Sequence, residues 1–183
     1  VTTGAALDVY GQTMTSTGGL TINGTGVSAN GALTNSSSTA ATYAGLVTLG
    51  SASSIGYITS GVGTITLSNA GIITGQFDLT LSGSTGGTIT SIIGTGTGGI
   101  IKSESGTWTL NGANTYDGAT IINKGILAIG NASGLGSTVG GTTIASTGAL
   151  DLRNVAVGNE SLTINGGELQ GNSGVSSLSG NIV

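Results

Sequence analysis

Residues 106–130, GTWTLNGANTYDGATIINKGILAIG, contain the pattern that decides the fold of this chain. Trp108 and Leu110 alternate with threonines, and a period of two places both apolar side chains on one face of an extended strand. Asn111 and Gly112 follow, and these residue types readily adopt the positive φ that a sharp turn requires. The stretch therefore predicts short strands that end in polar corners.

The same unit, apolar–Thr–apolar followed by Asn, Ser or Gly, recurs along the chain at 20–24, 65–69, 79–83 and 162–166. Looser versions occur at 127–130 and 150–154. Alternation predicts that the apolar positions of these strands face a common core, and that the threonines between them point outward. The predicted core residues are Leu67, Leu81, Trp108, Leu110, Leu127, Ile129, Leu150, Leu152, Leu162 and Ile164.

The composition favours an all-β fold with a thin core. Hydrophobic residues make up 37% of the 183 residues and charged residues only 5%, whereas disordered chains are usually poor in hydrophobic residues and rich in net charge. The 37 glycines disfavour helices, and the absence of proline suits continuous ladders of paired strands. Aromatic residues are 3% of the chain, so small aliphatic side chains must fill the interior.

Two architectures accommodate many short strands with polar turns. The spacing between strand units is irregular but fits coils of about 20–25 residues, each with two or three strands, which predicts a right-handed parallel β-solenoid. The alternative is an antiparallel β-sandwich, which more often carries larger aromatics in its core and tight two-residue hairpins. We expect the solenoid.

The segment SGTWTLNGANTYDGATIINKGILAIGNASGLGS resembles the passenger-associated strand repeat of bacterial autotransporters and related surface adhesins. The family pattern is similar to G-x-L-x-L-x-G-x-N-T-Y-x-G-x-T-x-I-x-x-G-x-L. The matching positions are Gly106, Leu110, Gly112, Asn114, Thr115, Tyr116, Gly118, Thr120, Ile122, Gly125 and Leu127. The resemblance implies a right-handed parallel β-helix in a secreted or surface-displayed protein, with no catalytic residues.

The resemblance covers residues 104–170, and residues 1–103 share its style without a second N-T-Y-x-G. We therefore expect a single β-solenoid domain over 1–183, with irregular coils over 1–103 and the passenger-type repeat over 104–170.

The residue types present exclude several kinds of chemistry. Without cysteine or histidine, the chain has no disulfide, no thiolate metal site and no Ser-His-Asp triad, and only a Ser-Lys pair through Lys102 or Lys124 remains formally open. A net charge of −4 with three basic residues argues against nucleic acid as a partner. We expect no cofactor, no metal and no membrane insertion by this segment. The acids are predicted to be solvated surface charges: Asp8, Asp78, Glu104, Asp117, Asp151, Glu160 and Glu168.

One loop is singled out because its motif occurs once: Asn114, Thr115, Tyr116, Asp117 and Gly118. A calcium ion at this turn would want several carboxylates, and the loop has one. We expect a structural turn with Tyr116 packed at a coil corner, and Trp108 packed in the core.

The patterns at both ends of the chain predict strands without a cap. The first residue is Val1, which suggests a processed chain or an excised piece. Solenoid ends with unpaired edges either stack on another copy or continue in a longer chain. The expected function is that of a non-enzymatic structural protein of the bacterial surface or extracellular matrix, either a fibre subunit or a stalk. The alternatives are an adhesin passenger that binds a glycan or host surface and, more remotely, a polysaccharide-degrading β-helix enzyme.

Overall fold

The computed structural model describes residues 1–183 as parallel strands that wind repeatedly around one core, with a single three-residue 3-10 turn, Val27–Ala29. No helix has the length and apolar character to cross a membrane. The strands are β1 Leu7–Asp8, β2 Thr13–Met14, β3 Leu20–Gly24, β4 Leu33–Thr34, β5 Ala41–Tyr43, β6 Val47–Ile55, β7 Ile65–Leu67, β8 Ile72–Thr74, β9 Leu79–Leu81, β10 Gly86–Ile89, β11 Ile92–Gly94, β12 Ile100–Lys102, β13 Thr107–Leu110, β14 Thr120–Ile129, β15 Thr142–Arg153, β16 Ala156–Val157, β17 Leu162–Asn165, β18 Glu168–Ser173 and β19 Ser177–Leu178.

The strands form three ladders, which we name faces A, B and C in the order in which one coil passes through them. Face A contains β1, β4, the end of β6, β9, β12, the first halves of β14 and β15, and β17. Face B contains β2, β5, β7, β10, β13, the second halves of β14 and β15, and β18. Face C contains β3, the start of β6, β8 and β11, and later β16 and β19.

All pairings between named strands are parallel, so the predicted β-solenoid is confirmed and the antiparallel sandwich is wrong. The chain completes about eight coils. Their length is read from one inward column of face A, whose members lie 20 to 26 residues apart: Leu7, Leu33, Ile55, Leu81, Lys102, Ile122, Ile144 and Ile164.

The core is a narrow stack of aliphatic side chains from the three faces. On face B, Ile65 lies below Gly87, which lies below Trp108, and Leu127 follows in the next coil. Nine of the ten core residues named from the sequence are at most 3% exposed. The exception is Ile164, which is only partly buried because β17 lies in the last coils, where few residues stack above it.

Candidate binding site

The loop 114–118 is a corner that replaces a face C strand between β13 and β14. The Asn114 side chain is buried and spans three coils: the Ile93 N–H donates to its Oδ1 (2.8 Å), and its Nδ2 donates to the Gly134 carbonyl (2.7 Å). Thr115 is exposed, and its N–H donates to the Ile93 carbonyl. This corner therefore holds adjacent coils together through one amide side chain.

The remaining residues of the loop also have structural contacts. Tyr116 is fully buried, its hydroxyl lies 2.6 Å from that of Thr120, and burial raises its pKa well above the usual range. The exposed Asp117 carboxylate accepts a hydrogen bond from the Ser137 hydroxyl (2.6 Å). A Cβ at Gly118 would lie 2.4 Å from the Gly99 nitrogen, so the corner needs glycine for close backbone packing. No polar group of this loop is left facing a cavity.

The expectation that all seven acids are solvated is wrong for two of them. Asp151 is 1% exposed and Glu160 is 2% exposed. Burial tends to raise the pKa of Asp151, but hydrogen bonds from Arg153 (Nε to Oδ2, 2.8 Å) and the Asn172 N–H (3.1 Å) overcome it and hold the pKa below its usual value. The ion pair lies on face B, with the Asp151 carboxylate buried and the Arg153 side chain 39% exposed.

Glu160 lies two residues before β17, and its buried Oε1 accepts a hydrogen bond from the Thr142 hydroxyl of the preceding coil (2.7 Å). Burial raises its pKa and outweighs the opposing effect of that hydrogen bond. The folded state therefore holds the proton to a higher pH than the unfolded state, so this group weakens the fold as pH rises through and above its usual range.

We expect Glu160→Gln to change the pH profile of stability in one direction. Because the amide has no charge to bury, the free energy of unfolding of the variant relative to the parent protein should be higher at pH 7 than at pH 4. Urea unfolding followed by circular dichroism at both values measures this difference. Asp117→Asn, which changes an exposed carboxylate, is the control, and an equal difference at the two pH values for Glu160→Gln would contradict the expectation.

Lys102 is the only charged residue in an inward column, between Leu81 and Ile122. Its side chain is fully buried, and Nζ donates to the carbonyls of Ser103 (2.7 Å), Glu104 (2.6 Å) and Lys124 (2.9 Å). Burial lowers its pKa to about 8. The ammonium group binds two carbonyls of the bend after β12 and one carbonyl of β14 in the next coil, so its hydrogen bonds go to the backbone and not to a serine hydroxyl.

The larger of two surface clefts, about 480 Å³, is a furrow on the bend between faces A and B of the last coils. It follows a column of glycines, Gly125, Gly148 and Gly167, that are in register. A Cβ on any of them would lie 2.4 Å from a carbonyl oxygen of a neighbouring coil. The furrow is thus a consequence of the sharp strand bend, and Glu168 is its one ionisable side chain.

The second cleft, which we name the N-terminal pocket, has a volume of about 310 Å³. Its lining includes Asp8 and Thr34, which are register partners in β1 and β4. Asn30, in the loop that joins face C to face A, and Tyr57, which follows β6, also line it. The other lining residues are Ala6, Val27 and Ser36.

The polar atoms of the N-terminal pocket are of two kinds. The Asp8 carboxylate is anchored: its Oδ1 accepts from the Tyr10 and Ser36 N–H groups (both 3.0 Å), and its Oδ2 accepts from the Ser36 hydroxyl. By contrast, Thr34 Oγ1 and Asn30 Oδ1 are buried atoms with no hydrogen-bond partner in the protein. A buried polar atom left unpaired costs about 1–3 kcal/mol, so these two atoms lower the stability of the first coils.

Sequence reasoning did not find this pocket. Asp8 was one of seven scattered acids, and nothing distinguishes Asn30, Thr34 or Tyr57 in the strand pattern. Their meeting depends on the length of the first coils and on the path of the loop 25–31, which no local motif specifies.

Comparison with known proteins confirms the resemblance found in the sequence. Residues 100–129 match the family described as the passenger-associated-transport-repeat. The chain is 40% identical over 73 residues to a curated protein of Brucella suis biovar 1 (strain 1330), the adhesin BmaC autotransporter. That match covers 40% of this chain and 2% of the adhesin. No solved structure matches the chain significantly. Residues 100–129 are thus similar to a passenger-associated-transport-repeat.

Proposed function

We propose that this chain is a rigid, non-enzymatic stalk segment of an adhesin-type passenger that is displayed on the bacterial surface or released outside the cell. The observation that carries the proposal is the continuous parallel register from β1 to the last coil, which includes a passenger repeat at 100–129. The likeness to an autotransporter adhesin supports the surface location.

The physical basis of a stalk is that each coil is bonded to the coil before it and the coil after it. The chain has 89 backbone hydrogen bonds, and many that lie outside the strand ladders still join neighbouring coils. Side chains such as Asn114 add bonds along the same axis. Because adjacent parallel strands are about 4.8 Å apart, eight coils extend about 38 Å as a rod.

The placement of ionisable groups supports a role without catalysis. Each cleft has one carboxylate in its lining, Glu168 in the furrow and Asp8 in the N-terminal pocket, whereas glycoside hydrolysis ordinarily uses a pair. Lys102 is bonded to three carbonyls, and Lys124 lies 3.2 Å from the Glu104 carboxylate.

We also propose that the outer edges of the first and last coils stack on further coils, either of a longer chain or of a second copy. Leu7 and Asp8 pair with β4 on one side only, and the last residues contribute a single bridge, Leu162 to Ile182. Such edges present free N–H and carbonyl groups to another strand.

Spin-label distances test the rod directly, because a chain without cysteine can be labelled at chosen positions. We expect Thr21→Cys paired with Thr115→Cys to give a narrow distribution near 19 Å between backbones, since the two exposed residues lie four coils apart on face C. Thr21→Cys paired with Ser177→Cys, seven coils apart, should give about 34 Å.

A broad distribution, or equal distances for the two pairs, would contradict a rigid stalk. Singly labelled chains serve as the control and also test end stacking. A defined distance between copies would support association through the coil edges. If no such distance is found at high concentration, association of copies is contradicted, and only stacking on further coils of a longer chain remains proposed.

A further inference from the structure

Five threonines form one column on the outer side of face B, at the same register position of five successive coils: Thr13, Thr42, Thr66, Thr88 and Thr109. We propose that this column and the hydroxyls beside it form an ice-binding surface, which we name the threonine array. This activity goes beyond the stalk role and does not depend on it, because a rod needs no contact with ice.

The threonine array extends in two directions, because four of the five coils place a second threonine two residues away on the same side of the chain. These are Thr15, Thr64, Thr90 and Thr107. A parallel strand rises about 3.3 Å per residue, so the two threonines of a coil lie about 6.6 Å apart, and rows in adjacent coils lie about 4.8 Å apart. The T-x-T pairs are irregularly spaced in the sequence, and the register between coils brings them to one face.

The spacing of the rows is even across the whole array. The pairings that connect β2, β5, β7, β10 and β13 on face B contain no register shift. Shifts occur in other ladders, after Ile22 in β3, after Ile122 in β14 and after Asp151 in β15. The threonines therefore lie on the most regular part of the solenoid.

The hydroxyls of the central column face solvent. Thr13 is exposed, Thr42, Thr66 and Thr88 are half-buried, and none of these four hydroxyls is bonded to another group of the protein. Threonine is branched at Cβ, so few rotamers are open to it on a strand. Each hydroxyl and each methyl group is thus held at a fixed point of the array.

The array ends at Thr109, where Arg153 covers the next row. The guanidinium Nη1 donates to Thr109 Oγ1 (3.4 Å) across Ala128, which is fully buried. Thr90 also has a partner, because its hydroxyl donates to the Leu67 carbonyl (3.0 Å). Both threonine oxygens keep lone pairs that water can use.

The spacing of the array suits a lattice of water better than a dissolved ligand. Oxygen atoms of hexagonal ice repeat at similar distances along two perpendicular axes, so water bonded to the threonines lies near lattice positions. A water held at a polar surface bonds nearly as well as a direct partner but loses entropy when it is immobilised. Ice presents water that is already immobilised, which removes this cost, and a rigid array meets many such molecules at once.

The residue types on this side of face B argue against two other occupants. The outward positions of these five coils contain no aromatic ring on which a glycan would stack and no ionisable side chain that would attract a charged partner. The positions beside the threonines are small or neutral: Ala40, Ala44, Ser68, Gly86 and Asn111.

The experiment grows ice slowly in a solution of the chain and measures the share of protein taken into the ice. The gap between the melting and freezing temperatures of a single ice crystal is measured beside it. We expect the parent protein to enter the ice and to open such a gap. Thr66→Lys should abolish both effects, because it places a strongly hydrated charge at the centre of the array.

Thr143→Lys is the matched control, because Thr143 is a half-buried, outward threonine of face A. It should behave as the parent protein does. The thermal unfolding temperature of Thr66→Lys should stay close to that of the parent protein, as is usual for outward positions. If it falls, Thr88→Lys makes the same test in the next coil.

Four outcomes would overturn the assignment. These are exclusion of the parent protein from ice without any gap, retention of both effects by Thr66→Lys, equal loss in Thr143→Lys, or a dimer seen by light scattering near the freezing point that Thr66→Lys disrupts. The last result would assign the array to contact with a second copy. The spin-label distances are independent of these results, so the ice-binding surface can fail while the stalk stands.

Discussion

Trp108→Ala is expected to lower the free energy of unfolding by about 4 kcal/mol, the range found for large aromatic side chains removed from a core. Trp108 is fully buried, and its Nε1 donates to the Ser82 carbonyl at 2.7 Å. In the coil below, a Cβ at Gly87 would lie 3.0 Å from the indole, so glycine leaves the room that the ring fills. Removing the ring therefore leaves both a cavity and a buried carbonyl without a donor.

Equilibrium urea unfolding measures this loss, and circular dichroism must be the probe because the variant has no tryptophan. Trp108→Phe is the matched control: it keeps most of the apolar volume and loses the hydrogen bond to Ser82, so we expect a smaller loss of about 1–2 kcal/mol. Equal stability of the two variants would show that the indole does not fill the core.

Lys102→Met is expected to lower the free energy of unfolding by about 3 kcal/mol, although methionine fills a similar volume. The substitution removes the ammonium donor from the Ser103 and Glu104 carbonyls after β12 and from the Lys124 carbonyl in β14, and an unpaired buried acceptor costs about 1–3 kcal/mol. Relief of the buried charge offsets part of this loss. Chemical unfolding at pH 7 gives the difference.

Lys124→Met is the control for Lys102→Met, because it removes a neighbouring lysine from the next coil. Its ion pair with Glu104 is about half exposed, so we expect a loss of less than about 1 kcal/mol. Comparable losses for the two substitutions would mean that the contacts of Lys102 with the carbonyls do not stabilise the bend.

The pH dependence of Lys102 has a definite sign. Burial lowers its pKa to about 8, below the usual 10.5, so the folded state binds fewer protons than the unfolded state between these values. The parent protein should therefore gain stability relative to Lys102→Met as pH rises through that window. Tyr43 and Tyr116, whose pKa values are raised by burial, oppose this gain in both proteins alike near and above pH 10.

The strand pattern predicted much of the architecture because alternation is a local property. Ile65-Thr66-Leu67 and Leu79-Thr80-Leu81 are buried at both apolar positions, as period-two alternation requires. The spacing of such units predicted coils of 20–25 residues, close to the 20–26 observed. The parallel direction followed from the absence of hairpin signals.

Lys102 and Glu160 show why the pattern could not identify every buried residue. Lys102 occupies an inward position of Ile100-Ile101-Lys102, yet a charged residue at the end of a strand is ordinarily solvated. Its burial depends on three carbonyls, from two neighbouring coils, that accept its hydrogen bonds. The burial of Glu160 likewise depends on Thr142 of the preceding coil.

The sequence by itself determined the parallel β-solenoid, the strand units that alternate apolar residues with threonine, and an approximate coil length, because alternation and turn residues depend on neighbours within a few positions. Only the tertiary structure decided that Asp8, Asn30, Thr34 and Tyr57 surround one pocket and that Lys102 is buried. Each coil begins a new turn after a loop of its own length, and that length sets which side chains meet across coils. The alternation of apolar residues within a strand does not specify the length of the loops between strands. The pocket therefore arises from the register between coils and not from any motif within one coil.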